Sequence, residues 1–344
     1  MYWLLYIIPA SMALFMARRQ QYNPVAFLLI GFIFIIIIGF RHKVGGDWYN
    51  YLNMYNDMFG VMFRDIFDSG DPAHKFFSWL MYRWDWGVYG SNIIYATIFM
   101  VGLIQFSRRQ TYPWLSIAVA VPYLILVVVM GYSRQGVAIG LFLLGVTYLD
   151  RGRFIIYILF IITATLFHKT AILLLPLGVF LYGKGKFLRI IMIIPIAYGS
   201  WDLLFAEEQE ALWVNYVEAQ MMSDGAKIRV AMNLIPSLLL FKYRNEWKRS
   251  YNDYTFWFWI ALGSVVNVFL VNFASTAVDR VALYFIPIQL VVFARLPYLA
   301  RKEIAPSSTK LFIVLGYGLV LFVWLNFATH SKYWLPYQNI IVGG

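Results

Sequence analysis

Residues 24–40 read PVAFLLIGFIFIIIIGF, seventeen residues without a charge, and run directly into Arg41-His42-Lys43. A bilayer-spanning helix needs ~20 mainly apolar residues, within about 17–25. The stretch therefore reads as a membrane span that ends on a cationic cluster. Working outward, apolar runs of comparable size recur at 2–17, 91–106, 113–130, 135–149, 154–167, 170–183, 188–205, 226–241, 254–273, 281–296 and 310–327. With 24–40 they make twelve. Composition agrees, with 61% hydrophobic and 13% charged residues, against about 25% charged in a soluble domain. Too little charge is present to coat a water-facing surface. The expected fold is an all-α polytopic integral membrane protein with about 12 transmembrane helices, one membrane domain over 1–344. Run 2–17 lacks the basic start and small-residue cleavage site of a secretory signal.

Charge sets the orientation. With the short loops assigned alternately to two sides, one side holds 17 of the 28 basic residues and four acidic ones, net +13. The other side holds 11 basic and 13 acidic residues, net −2. The positive-inside rule makes the first side cytoplasmic and leaves both termini outside. The overall charge of +11 is thus a topology signal, and nucleic acid drops out as a partner. Cysteine is absent and only four His are present, so thiol chemistry is excluded and a multi-His metal site is not expected.

Two outer segments are long, 41–90 and 206–225. Within the first, AHKFFSWLMYRW (73–84) is amphipathic and too short to span, so a short interfacial or re-entrant helix is expected there. Asp65, Asp68 and Asp71, spaced by three, read as a solvated loop, as do the acidic residues Glu207, Glu208, Glu210, Glu218 and Asp224 of the second.

Three hairpins are squeezed at their outer turns, which carry Ser133-Arg134-Gln135, His168-Lys169-Thr170 and Asp279-Arg280. At 1.5 Å per residue, the residues 154–183 reach about 45 Å, short of two crossings of ~30 Å. A turn recessed below the outer surface is expected. Charges inside a bilayer cost at least about 2.5–3.5 kcal/mol and persist where they face a cavity or a partner. Arg41 adds a third arginine to the same face. Guanidinium forks match phosphate bidentately, so three arginines in one outer cavity suit a lipid-linked diphosphate. The plainer alternative is that Arg134 and Arg280 form structural ion pairs with Asp279 and Asp47. The outer aromatics read mostly as an interfacial belt.

The order of these motifs resembles a known family. RHKVGGDWYNY (41–51) is similar to the R-x-x-x-G-x-D-x-x-x-Y segment of EpsG-like proteins, a branch of the Wzy-type polysaccharide polymerases, matching Arg41, Gly45, Asp47 and Tyr51. SRQGVA (133–138) resembles the family's R-Q-x-x-A, FHKTA (167–171) its F-H-K-x-A, Asp279-Arg280 with Tyr284-Phe285 its acidic-Arg then Tyr-Phe pattern, and LPYQNII (335–341) its closing P-Y segment. The resemblance implies a polymerase in the bacterial inner (cytoplasmic) membrane. Such an enzyme transfers a growing glycan from an undecaprenyl-diphosphate carrier to the terminal sugar hydroxyl of another lipid-linked repeat unit, at the outer (periplasmic) face. The implied partner is that lipid-linked oligosaccharide, with room for a separate chain-length regulator protein. No cofactor or metal is expected.

The residues fit this chemistry. Arginine stabilises a diphosphate leaving group without a metal, and histidine is the commonest base near neutral pH. Arg134, Arg280 and Arg41 are expected on the diphosphate and His168 as the base, with Asp47 or Asp279 orienting or sharing that role. Gln135, Tyr51, Tyr284 and Tyr337 are expected to contact glycan or support the site. His168 as a donor to a phosphate oxygen stays open. So do two other functions: a lipid-phosphate-sugar glycosyltransferase using Asp47 as a loop acid, and a lipid-linked glycan flippase or transporter. A transporter favours broken helices near the midplane, whereas these charges gather at one face.

Overall fold

The computed structural model describes residues 1–16, 23–67, 70–149, 151–182, 225–273 and 275–341. They are helical throughout, with no strand among them beyond an isolated bridge. The apolar runs become α1 (Tyr2–Phe15), α2 (Pro24–Gly39), α5 (Gly87–Ser107), α6 (Pro113–Ala120), α7 (Ser133–Leu149), α8 (Phe154–Phe167) and α9 (Leu175–Tyr182) in the first half. Between α2 and α5 lie the short helices α3 (Trp48–Asn56) and α4 (Pro72–Arg83). The second half comprises α10 (Ala226–Lys242), α11 (Arg244–Ser250), α12 (Tyr254–Leu270), α13 (Ser275–Phe285), α14 (Pro287–Leu299) and α15 (Pro306–Phe327). The run 188–205 and the acidic loop 206–225, apart from Gly225, lie outside the described residues.

α5 and α15, of 21 and 22 residues, are long and apolar enough to cross a bilayer alone. The pair α13–α14 qualifies together, bent by 41°. Among the described residues, seven further apolar helices are 10–17 residues long. The squeezed hairpins are built from short helices. α6 continues as a π-helix over Val121–Val129 beginning beside Pro122, which cannot donate a helical hydrogen bond. After α8 the chain turns at His168 into a 3-10 helix, Lys169–Leu174, before α9.

Close backbone contact sets the centre. A Cβ on Gly102 of α5 would meet the Gly140 carbonyl of α7. Such small-residue contacts let helices approach where lipid offers no hydrophobic drive. α10 and α14 are joined by polar side chains in the core. Gln289 Nε2 donates to Asn233 Oδ1 at 2.7 Å, and the Tyr317 hydroxyl of α15 donates to Gln289 Oε1 at 2.6 Å.

At one end of the bundle, buried Arg295 pairs with Asp253 at 2.8 Å, and Asp253 also accepts the indole N–H groups of Trp247 and Trp257. At the opposite end the segment after α15 folds back as a strap. His42 N–H donates to Gln338 O and Ile340 N–H to Phe40 O. The Trp334 indole donates to Leu126 O at 2.7 Å, and Tyr2 donates to Trp334 O at 2.8 Å. Gly45 lies beneath the strap at φ +108°, where a Cβ would meet the Met130 carbonyl, so only glycine fits.

Candidate functional site

The strap and α2 position Arg41. Its guanidinium donates to Ile38 O (2.6 Å), Val44 O (3.2 Å), Asn92 Oδ1 (3.2 Å) and Ser133 Oγ (2.7 Å). The residue is 1% exposed. Arg41 was expected as a third diphosphate clamp; here the fork is spent on protein acceptors. Through Ser133, Arg41 instead ties the 41–47 loop to the start of α7, where Arg134 follows.

Arg134 leaves that helix start towards α4. Its Nη1 lies 2.7 Å from Asp71 Oδ2, with 30% of the Arg134 side chain exposed and 6% of that of Asp71. Asp71 also accepts the Lys169 backbone N–H at 3.2 Å and lies 3.9 Å from His168 Nδ1. The solvated-loop reading of Asp71 is therefore overturned; Asp65 is exposed, and Asp68 lies outside the described residues. Asp-Pro opens α4 and turns the Asp71 carboxylate inward at the helix start, so one side chain holds the 134 and 168 turns together.

Burial opposes ionisation of Asp71. The neighbouring His168, the Arg134 charge and the Lys169 N–H outweigh it, holding the carboxyl below its usual range. Burial also lowers the His168 imidazole below its ordinary value, against the pull of Asp71, with Arg134 and Arg280 adding to the lowering. His168 ends α8 in extended backbone, and its side chain is 14% exposed. Nδ1 is buried without a hydrogen-bond partner and faces Asp71.

Arg280 is exposed and forms no ion pair among the described residues. It is close enough to influence both His168 and Asp47 electrostatically. Asp279 points elsewhere, gripped by Arg229 of α10 through Nε and through Nη2 at 2.6 Å. Asp279, expected to orient or share the base role, is held in this ion pair. Asp47 is half-buried at the start of α3; burial pushes its carboxyl up while Arg134, Asn50 and Arg280 pull it down.

The remaining expected residues make these contacts. The Tyr51 hydroxyl accepts the Arg134 backbone N–H at 3.4 Å, and the Arg134 guanidinium lies 5.9 Å from the Tyr51 ring centroid. Gln135 donates to Arg280 O at 2.7 Å, joining α7 to α13. The Tyr284 hydroxyl is 3.2 Å from Thr170 Oγ1, holding α13 against the His168 turn. Tyr337 donates to Ile37 O in the strap, away from Arg134 and His168. Among the described residues no group of three or more His, Asp or Glu side chains is arranged to hold a metal.

Three partners escaped the sequence reading: buried Asp71 and His74, and partly buried Arg229. Asp71, His74 and Ser78 recur at helical spacing, a signal present in the sequence, where Asp71 alone of the three reads as part of a solvated loop.

The EpsG family profile matches residues 25–339, nearly the whole chain, and the chain belongs to this family of Wzy-like polymerases. No curated protein and no solved structure matches it significantly. The protein is accordingly a membrane protein of polysaccharide-polymerase type.

Proposed function

We propose that this EpsG-family chain is a metal-independent repeat-unit polymerase at the outer face of the bacterial cytoplasmic membrane. It transfers a growing glycan from an undecaprenyl-diphosphate carrier to the terminal sugar hydroxyl of a second lipid-linked repeat unit. The acceptor oxygen forms the new bond to the donor anomeric carbon. The bond from that carbon to the diphosphate oxygen breaks, and its electron pair leaves on the lipid diphosphate. The hydroxyl proton passes to His168 Nε2.

The observation that carries this reading is the single carboxylate of Asp71, which contacts Arg134 at 2.7 Å and faces His168 Nδ1 at 3.9 Å. A carboxylate behind an imidazole favours the tautomer with its proton on Nδ1, freeing the Nε2 lone pair for a proton. Burial and the adjacent arginines keep the ring neutral, as a base requires. The same arginines face the charge that grows on the leaving diphosphate. At an effective dielectric of ~20, each charge pair 4 Å apart contributes about 4 kcal/mol before desolvation. Exposed Arg280 and the open side of Arg134 are the diphosphate ligands in this scheme, and Arg41 is a positioning residue.

The test is to incubate purified protein with a defined lipid-diphosphate repeat unit and follow elongation. Wild type should give dimers and longer products, and His168→Ala and His168→Gln should give none while still binding the donor. A Gln variant with turnover within about tenfold of wild type, ~1.4 kcal/mol, would remove His168 as the base. Its amide could then be donating to a phosphate oxygen, and Asp47 would be the next candidate base.

A further inference from the structure

α4 buries a polar stripe. Asp71, His74, Ser78 and Met81 lie on one helical face and all are buried. Phe76, Phe77 and Trp79 stay partly exposed. A short helix at a bilayer surface ordinarily buries its apolar stripe and shows its polar one to water. Burying polar groups is costly unless they find partners. This polar stripe borders a cavity of about 350 Å³ closed by the end of α3. Asp57, Asp71, His74, Lys75, Ser78 and Arg134 line it. His74 Nδ1 is 2.8 Å from the Tyr95 hydroxyl, while its Nε2 is buried with no hydrogen-bond partner among the described residues.

We propose that this cavity is the acceptor-sugar subsite, holding the terminal monosaccharide of the acceptor glycan and reading its hydroxyls. The assignment rests on the polymerase reading and extends it to the residues that select the acceptor. Its volume falls at the small end of ligand pockets, roughly 300–1,000 Å³. The wall balances two carboxylates against Lys75 and Arg134, so it offers no net positive charge to a diphosphate, and the charged lining is wrong for a prenyl tail. Sugar hydroxyls both donate and accept, which suits a wall that alternates carboxylates with cationic and hydroxyl groups. Met54 and Met58 offer apolar surface to the C–H face of a ring. Burial and the Arg134 charge push the His74 imidazole down to about 3 against the pull of Asp71, so it enters the site neutral. The Tyr95 hydroxyl occupies Nδ1, and the unpartnered Nε2 is left to meet a sugar hydroxyl, which can donate or accept. The cavity ends at Asp71 and Arg134, the pair that also holds the His168 turn.

The test uses full-length protein in lipid nanodiscs. Saturation-transfer NMR is run against methyl glycosides of glucose, galactose, N-acetylglucosamine, N-acetylgalactosamine and glucuronic acid, and against inorganic diphosphate. At least one glycoside should bind wild type and His168→Gln alike. Asp57→Ala should weaken that binding about tenfold, the equivalent of ~1.4 kcal/mol, and Ser78→Phe should abolish it. Asp57 is exposed, so its variant carries the test if Ser78→Phe fails to fold. The assignment is overturned if no glycoside binds, if diphosphate displaces the bound glycoside, or if Asp57→Ala binds as wild type does. The two readings fail separately. Unchanged acceptor KM in Asp57→Ala, with elongation intact, sinks the subsite and leaves the polymerase. Glycoside binding sensitive to Asp57→Ala in a protein unable to elongate sustains the sugar site and sinks the polymerase.

Discussion

Asp71→Asn keeps the shape of the side chain and removes its charge. Arg134 Nη1 at 2.7 Å, the Lys169 N–H at 3.2 Å and His168 Nδ1 at 3.9 Å all lose an ionic neighbour. Removing one member of a buried pair costs about 3–5 kcal/mol. The Arg134 side chain is 30% exposed, so solvent screens part of this, and a loss of about 1–3 kcal/mol in stability is expected. A carboxyl whose folded pKa is depressed stabilises the fold above its unfolded pKa, and that contribution fades as pH falls through the folded value. Wild-type apparent Tm should therefore drop below about pH 4, and the Asn variant should lack that component. For catalysis, the equivalent change in a hydrolase triad costs about 10⁴ by admitting the wrong imidazole tautomer. Here the carboxylate stands 3.9 Å from the ring, beyond hydrogen-bond reach, so a loss of about 10²–10³ in turnover, or roughly 3–4 kcal/mol, is expected. Asp71 also raises the His168 pKa against the burial that lowers it. In the variant the ring is a weaker base, and the acid limb of the rate profile should move to lower pH. The assay is initial elongation rate on a defined lipid-diphosphate repeat unit across pH. A variant within about tenfold of wild type, ~1.4 kcal/mol, with an unmoved acid limb would refute the coupling of Asp71 to His168.

Arg280→Lys should lose most elongation while the apparent Tm holds, because Arg280 is exposed and its charge alone cannot replace a planar fork; full activity in the Lys variant would reduce it to a generic charge. Arg41→Lys should behave oppositely in stability: four hydrogen bonds from a buried guanidinium cannot be rebuilt by one ammonium, and about 3–5 kcal/mol is at stake, so an unchanged melting curve would overturn its role as the tie between loop 41–47 and α7. Reporter fusions after Arg109, Arg153 and Arg249 should read cytoplasmic and one near Asp71 external; a cytoplasmic signal at Asp71 would invert the topology and with it the outer-face mechanism.

Hydropathy is a local quantity, set by the transfer free energy of each stretch, and the apolar helices could be read from it. Runs such as 24–40 and 310–327 became α2 and α15, and the amphipathic 73–84 stretch became α4. Charge at the hairpin turns marked Arg134, His168 and Arg280, because a buried charge needs a cavity or a partner wherever the helices go. Which partner each charge meets is a different kind of fact. Asp71 reaches Arg134 and His168, 63 and 97 residues away, and Asp279 turns to Arg229 rather than to the histidine. Arg41 is the clearest case. Its place after α2 promised an open cation, and the strap from residues 333–340, docked nearly 300 residues later, enclosed it among backbone and side-chain acceptors. The inward polar face of α4 is the same lesson at the level of a helix. Its period could be read in the sequence, but whether that face met water or protein depended on the packing of α3, α5 and α8 around it, and only the tertiary structure decides that.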